Sequence, residues 1–483
     1  MSERREALSR IGTIAVSRRG DLALIVVVST LTTVGLMWWC YQAKILCGGP
    51  PFFPDGRSRH WPIGDPDKAI PCYSDLMFLW VGRDINNHVF PYIHGGINAD
   101  GHLFGGVVEY PVLSGMLMYL GAIGAHTDTE FFRHSALLLA PFGIAITLML
   151  AMLTRWNVLW WALTPPLVLY SFHNWELPVV ATTVGAVAVM AYGARPDAVT
   201  GERRWSVRTS AVGASVLLAI GFCLKLYPGF FVLPLALYVL TATTPTDAAR
   251  RALDWAGAVR VAAAAVVTVV VVQLPFAVLG FEGWQAALTF QGKRRADVDT
   301  NSIWYWGLRH LTGGQTDTYN TLVGVLSPGL ILIAFAAVVT FGWLEYQRLG
   351  SYPWIGVCAA MLAGFMLFHK VHSPQYTLWI LPFFVLLRIP WPVIVAYLIA
   401  DLSLDLTIFR LFGIITSGAP MKWWVMGGVN LGVWVHAVTL AYLLVGFVRA
   451  GLREPLASIL APPPTADRHD GAVDDEAATV AGR

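Results

Sequence analysis

Long apolar runs separated by short polar breaks make up most of this chain. The first run covers residues 21–39, and others fall at about 110–125, 133–154, 156–172, 176–194, 209–224, 227–242, 257–280, 319–343, 353–369, 375–389, 391–409 and 423–447. A run of roughly 18 or more apolar residues can cross a hydrocarbon core. Backbone groups in lipid must bond internally, so such runs predict helices. The expected fold is therefore an all-α polytopic membrane protein of about 12–13 transmembrane helices.

Arg4, Arg5, Arg10, Arg18 and Arg19 precede the first run and place the N-terminus in the cytoplasm. That run has full spanning length with no small-residue cleavage site after it, so no cleaved signal peptide is expected. The large loop at residues 41–110 is then extracytoplasmic. Basic clusters at Arg195–Arg208, Arg250-Arg251 to Arg260, Arg348, and Arg449 with Arg453 mark cytoplasmic ends. Thirteen crossings would leave the C-terminus outside, against its basic flank, so one segment is expected not to cross. The 110–125 segment is the shortest, and 156–172 is interrupted by Pro165-Pro166. The layout is a cytoplasmic segment at 1–20, a membrane domain at 21–447 and a cytoplasmic tail at 448–483. The Pro-rich, acidic stretch from Pro462 predicts disorder in that tail.

Composition agrees. Hydrophobic residues make up 56% and charged residues 13%, with a mean hydropathy of +0.58, whereas soluble domains carry roughly 25% charged residues. Many of the 20 tryptophans sit at run ends, as interfacial belts require. A net charge of +3 gives no reason to expect a nucleic-acid partner.

The polar residues gather at one set of helix ends. Alternation puts the first loop, Ser171–Glu176, Lys225–Pro228, the 281–318 loop and His369–Tyr376 on the same, extracytoplasmic side. Asp75 precedes the apolar run Leu76–Trp80 of a short helix at the membrane surface. It reads either as an N-cap or as a general base that deprotonates a hydroxyl. Glu109, before Tyr110-Pro111, is open to the same two readings. Lys293-Arg294-Arg295 lies outside against the positive-inside preference, and guanidinium groups bind phosphate bidentately. Lys225 and Lys370, with His369, sit at outer helix ends, where snorkelling is the alternative to phosphate binding. Asp65-Pro66-Asp67 and Asp297-Val298-Asp299 are D-x-D pairs, but one pair offers too few oxygen ligands for a metal site to be assigned. Cys47 and Cys72 share the oxidising loop and are expected to form a disulfide.

Taken together, Cys72-Tyr73-Ser74-Asp75, Glu109-Tyr110-Pro111, His173-Asn174-Trp175-Glu176, Lys225-Leu226-Tyr227-Pro228, Ser302-Ile303-Trp304-Tyr305 and Lys370-Val371-His372-Ser373-Pro374-Gln375-Tyr376 resemble the GT-C membrane glycosyltransferases. They are most similar to family 87, which holds the actinobacterial polyprenyl-phosphate-mannose-dependent mannosyltransferases. The resemblance implies a GT-C-type fold and an inverting transfer, with Asp75 as base and Glu109 as the second candidate. Lys225, Arg294, Arg295 and Lys370 would take the donor phosphate. His173, Asn174, Glu176, Tyr227, His369, His372, Gln375 and Tyr376 would contact sugar or acceptor. The implied partners are a polyprenyl-phosphate sugar, a cell-envelope glycolipid or glycan acceptor and the plasma-membrane bilayer. No cofactor is implied and no protein partner is assigned. Glu176 stands where Asn-Trp-Asp is expected, which leaves the donor sugar open. An arabinofuranosyl donor is the competing enzyme reading, and a transporter or flippase the competing class.

Overall fold

A computed structural model describes residues 2–59, 72–197, 200–242 and 253–461, with backbone only for residues 2–19. The pair Asp65-Pro66-Asp67, Arg250-Arg251 and the stretch from Pro462 lie outside these residues. Among the described residues the chain is an all-α bundle. Eight helices are long and apolar enough to cross a membrane, by length and composition, and four shorter apolar helices accompany them.

Helix α1 (Ser2–Ile45) runs unbroken through the expected boundary at residue 20. The first loop then carries α2 (Asp75–Gly82) and a two-stranded antiparallel hairpin, β1 (Gly96–Ile97) with β2 (Leu103–Phe104). Helix α3 (Val112–Ala122) has 11 residues, too few to span a core of about 30 Å at 1.5 Å per residue. Helix α4 (Asp128–Thr154) continues through a 3-10 turn into α5 (Leu159–Ala162), and α6 (Pro165–Tyr170) follows a break at Thr164. The expected 156–172 segment is thus three short pieces, because Pro165 lacks an N–H and turns Thr164 into extended backbone.

Next come α7 (Glu176–Ala194), α8 (Val207–Leu224), α9 (Tyr227–Phe230), α10 (Val232–Thr241) and α11 (Trp255–Leu279). The 281–318 stretch is more ordered than a loop. It holds the amphipathic α12 (Phe281–Lys293), a 3-10 turn (Val298–Thr300), a π-helical turn (Trp304–Leu308) and α13 (Arg309–Leu311). Helices α14 (Asp317–Leu349), α15 (Trp354–Phe368), α16 (Thr377–Leu386), α17 (Trp391–Ser417), α18 (Trp423–Arg449) and α19 (Leu456–Leu460) complete the fold.

The bundle has an inside and an outside. Every residue of α16 is buried, and most of α15 and α7 are too. Helix α11 buries only Gly257, Val261 and Ala265, and most of its other valines are exposed, as lipid-facing side chains are. Residues 450–461 are also ordered, so the ordered chain runs on past residue 448 to the edge of the stretch from Pro462. Arg453 donates to the Leu387 carbonyl at 3.0 Å and to Asn157 Oδ1 at 2.8 Å, tying this segment to the bundle.

Three ties position the first loop. Cys47 and Cys72 are bonded, 25 residues apart in sequence. Ser58 donates to Asp128 through its N–H at 2.8 Å and its hydroxyl at 2.7 Å. Gly280 and Gly283 press the start of α12 onto the first loop, since a Cβ on either would fall within 2.4 Å of the Tyr92 carbonyl oxygen. Closing a loop of the disulfide's size stabilises by roughly 3 kcal/mol. Cys47→Ser should accordingly lower the unfolding temperature, and non-reducing peptide maps of the native chain should show the linked peptide. Free thiols at both positions would refute the bridge.

Candidate active site

Helix α2 begins where Ser74, and not Asp75, serves as N-cap. The Ser74 Oγ accepts the Leu76 N–H at 3.2 Å and donates to the Phe172 carbonyl at 2.8 Å. The Asp75 N–H donates to the His173 carbonyl at 2.9 Å, so the first turn is stitched to the α6–α7 connection. This corrects the capping reading and leaves the Asp75 carboxylate for other work. Its Oδ1 accepts the Tyr73 hydroxyl at 2.9 Å, and its Oδ2 accepts the Asn174 amide at 2.7 Å.

The carboxylate lines a polar chamber of about 330 Å³ and keeps 20% of its side-chain surface exposed. Of the predicted residues, Asp75, Glu109, His173, Lys225, Arg294, His369, Gln375 and Tyr376 all line this chamber. They come from five separate stretches of chain. Asn174, Glu176, Tyr227, Arg295, Lys370 and His372 do not line it.

Each exclusion has a cause. Asn174 is fully buried and points its amide at Asp75 and at the Tyr110 hydroxyl, so it orients the carboxylate. Glu176 is also fully buried. Its Oε1 pairs with the Lys225 ammonium and its Oε2 accepts the Trp379 indole N–H. The extra methylene relative to Asp lengthens its reach toward these partners. Tyr227 is stacked on Trp379 at 4.5 Å. Arg295 is exposed beyond the chamber, and Lys370 donates to the Gly292 carbonyl at 3.0 Å. His372 is buried against His436, 5.2 Å between ring centres.

Charge compensation separates the two candidate bases. Glu109 Oε2 meets Arg83 Nε at 2.8 Å, while its backbone carbonyl accepts the Gln291 amide at 2.6 Å. Asp75 meets only His173, whose Nε2 lies 3.9 Å from Oδ2. Burial, with Lys44 and Lys225 adding to it, pushes the His173 imidazole well below its usual pKa, so the ring is neutral near pH 7. Burial likewise takes His369 down to about 4. Asp75 thus faces the chamber without a cationic partner among the described residues.

Of the cations, Lys225 is already paired with Glu176, and it lies 4.6 Å from the Tyr110 ring centre. Arg294 meets Asp299 at 3.7 Å, with 34% and 54% of the side chains exposed. An exposed pair of this kind holds by about 1 kcal/mol or less. Arg294 is therefore the chamber cation most easily given over to an incoming anion.

A second cavity, apolar and about 540 Å³, abuts the chamber. Glu109, Tyr110, Lys225, Gln291, His369 and Tyr376 line both. Its outer wall is α11 and α12, joined where the Trp284 indole donates to Gln273 at 2.8 Å.

The structure adds residues to which the sequence assigned no role, Tyr73 and Tyr110 among them although they fall within the Cys72–Asp75 and Glu109–Pro111 motifs. Tyr73, Arg83, Tyr110, Gln291 and Asn301 line the chamber, and the Asn301 Oδ1 has no hydrogen-bond partner. Asp401 and Asp405 are buried in the middle of α17, which corrects the expectation that charges sit only at helix ends. Asp401 accepts Tyr170 at 3.1 Å and Thr377 at 2.5 Å, so it ties α6 and α16 to α17. Two acidic residues one turn apart in an apolar run were the available signal. Among the described residues, no cluster of three or more metal-ligating side chains occurs.

Comparison with known proteins adds the following. The mannosyltransferase (PIG-M) family model matches residues 204–444. That stretch contains Lys225, Arg294, His369 and Tyr376, but not the first loop with Asp75 and Glu109. Among solved structures, the apo oligosaccharyltransferase of Archaeoglobus fulgidus is similar at 12% identity with a TM-score of 0.38. The alignment covers 88% of this chain and 56% of that one, so the chain spans little more than half its length. No curated protein matches the chain in sequence. The match to a mannosyltransferase family model supports glycosyl transfer in a membrane, with mannose foremost as the sugar.

Proposed function

We propose that the chain is an inverting mannosyltransferase that takes its sugar from a polyprenyl-phosphate donor at the extracytoplasmic face of the plasma membrane. The acceptor is a glycolipid or glycan of the cell envelope. The observation that carries this reading is the pair of abutting cavities, one polar and one apolar, with six residues in common. A lipid-linked sugar has matching parts: a polar head for the chamber and a hydrocarbon tail for the apolar groove. The phosphate between them would lie where the cavities meet, with Lys225 on the shared boundary and Arg294 on the chamber side of it.

In this reaction an acceptor hydroxyl oxygen attacks the anomeric carbon from the side opposite the phosphate. Asp75 takes the hydroxyl proton, and the bond from carbon to phosphate oxygen breaks with its electron pair going to the phosphate. Arg294 meets the negative charge that grows there. Phosphate leaves readily, so a separate general acid is unnecessary. Asn174 and Tyr73 fix the Asp75 oxygens, which favours in-line proton transfer.

The test is an assay of purified protein with mannosyl- and arabinosyl-phosphopolyprenol side by side. Transfer from the mannosyl donor alone is expected. Transfer from the arabinosyl donor alone would move the assignment to an arabinofuranosyltransferase, and transfer from neither would remove the polyprenyl-phosphate reading. Arg294→Gln should weaken donor binding roughly ten- to a hundredfold, the cost of about 1.5–3 kcal/mol for a hydrogen bond to a charged group. Arg295→Gln should leave binding unchanged, since Arg295 is exposed and does not line the chamber. Equal donor affinity in wild type and Arg294→Gln would make Arg294 an ordinary surface charge.

A further inference from the structure

A third cavity, of about 510 Å³, lies between α4, α7 and α8. Its long wall is hollow because Ala181, Gly185 and Ala188 on α7 follow one another at helical spacing and share a face. Met149 and Met152 of α4 and Leu217 of α8 form the opposing sides. The lining is almost wholly apolar except at one end, the mouth.

At that mouth stand Tyr192, Arg195 and Trp205. The Tyr192 and Trp205 rings meet edge to face at 5.0 Å and remain 44% and 42% exposed. Arg204 stacks its guanidinium 4.9 Å from the Tyr192 ring centre. Arg195 has no carboxylate within ion-pair distance among the described residues, whereas the nearby Arg208 is engaged twice by Asp254, at 2.6 and 2.7 Å. The mouth sits at the Ala194 end of α7, and the chamber sits at the Glu176 end, about 28 Å away for 19 residues at 1.5 Å each. An interfacial Trp and Tyr beside an Arg that meets no carboxylate among the described residues, above an apolar trough, is the arrangement a membrane lipid meets at one bilayer boundary.

We propose that this trough is a binding site for one anionic phospholipid, at the membrane face opposite the catalytic chamber. Its acyl chains run along the α7 hollow, its phosphate takes the Arg195 guanidinium, and Trp205 and Tyr192 flank the glycerol region. Charge selects the lipid class. A zwitterionic headgroup would set its own cation against Arg195 and Arg204, while an anionic one has no such conflict. The site does not depend on which sugar or acceptor the chamber takes.

Native mass spectrometry and thermal unfolding of the purified full chain test this, with phosphatidylglycerol and phosphatidylcholine as probes. Wild type is expected to retain one phosphatidylglycerol per chain and to unfold at higher temperature with it. It should prefer that lipid over phosphatidylcholine roughly fivefold, the effect of one basic residue at an anionic surface. Arg195→Gln should weaken the preference, and Ala188→Leu, which fills the hollow, should release both lipids. Arg195 is half-buried at a helix end, so its variant folds even if Ala188→Leu does not. Equal retention of the two lipids by wild type, retention of neither, or an unchanged preference in Arg195→Gln would each overturn the proposal. So would a wild-type dimer in detergent that Ala188→Leu separates, which would make a second chain the occupant.

Discussion

Asp75→Asn should abolish measurable glycosyl transfer while the donor still binds. The substitution keeps the shape and removes the charge that accepts the proton. A base acts only in the transition state, so its loss appears in turnover and not in donor affinity. General-base catalysis contributes roughly a hundred- to ten-thousandfold, which sets the expected drop. Glu109→Gln should be milder, because Arg83 already compensates the Glu109 charge at 2.8 Å. Its first effect should be on stability or acceptor affinity. Rate and donor affinity measured separately for both variants decide the matter. Near-normal turnover in Asp75→Asn with a dead Glu109→Gln would transfer the role to Glu109, and activity in both would remove the first loop from the chemistry.

The second large effect belongs to the Glu176–Lys225 pair at the chamber wall. Glu176→Leu should destabilise the protein by about 3–5 kcal/mol, the usual consequence of leaving a buried charge without its partner. The Lys225 ammonium would then keep only Asn174 Oδ1 at 3.4 Å and the faces of Tyr110 and Trp379. Replacing both residues, as Glu176→Leu with Lys225→Met, should recover much of the loss, since an apolar pair often substitutes for a buried ion pair. Unfolding curves in mixed micelles for the two singles and the double measure the coupling. Singles that cost under about 1 kcal/mol would mean the pair is not compensating a buried charge. The folded double variant also reports on chemistry. If it binds donor as wild type does, Lys225 does not hold the phosphate.

The sequence carried the class of the fold and pointed to eight of the residues that line the chamber, for a physical reason. Lipid forces apolar runs into helices, so the breaks between runs are where polar chemistry must appear. Asp75, Glu109, His173, Arg294 and His369 were all visible as polar residues at such breaks. What the sequence did not carry was partnership. Lys225 and Arg294 look alike as cations near helix ends, yet one is buried on Glu176, 49 residues earlier in the chain, and the other is loosely held by Asp299. Nor does a run of hydropathy distinguish Arg295, exposed and outside the chamber lining, from its neighbour that lines the chamber. Asp401 and Asp405 went unread because the surrounding apolar residues outweighed them in a helix-long window.

The chamber's lining begins at Tyr73 and ends at Phe412. This dispersal has a consequence for how the protein is made. Chains enter the membrane from the N-terminus, and domains form as their segments emerge. The pair Glu176–Lys225 and the stitch between α2 and the α6–α7 turn can form as soon as α8 has entered. The wall made by Ile408, Phe409 and Phe412 arrives only with α17, one helix before the last long one. A half-synthesised chain therefore holds the Asp75 carboxylate in place but has no enclosed volume around it, and biogenesis separates placement of that carboxylate from closure of the chamber around it.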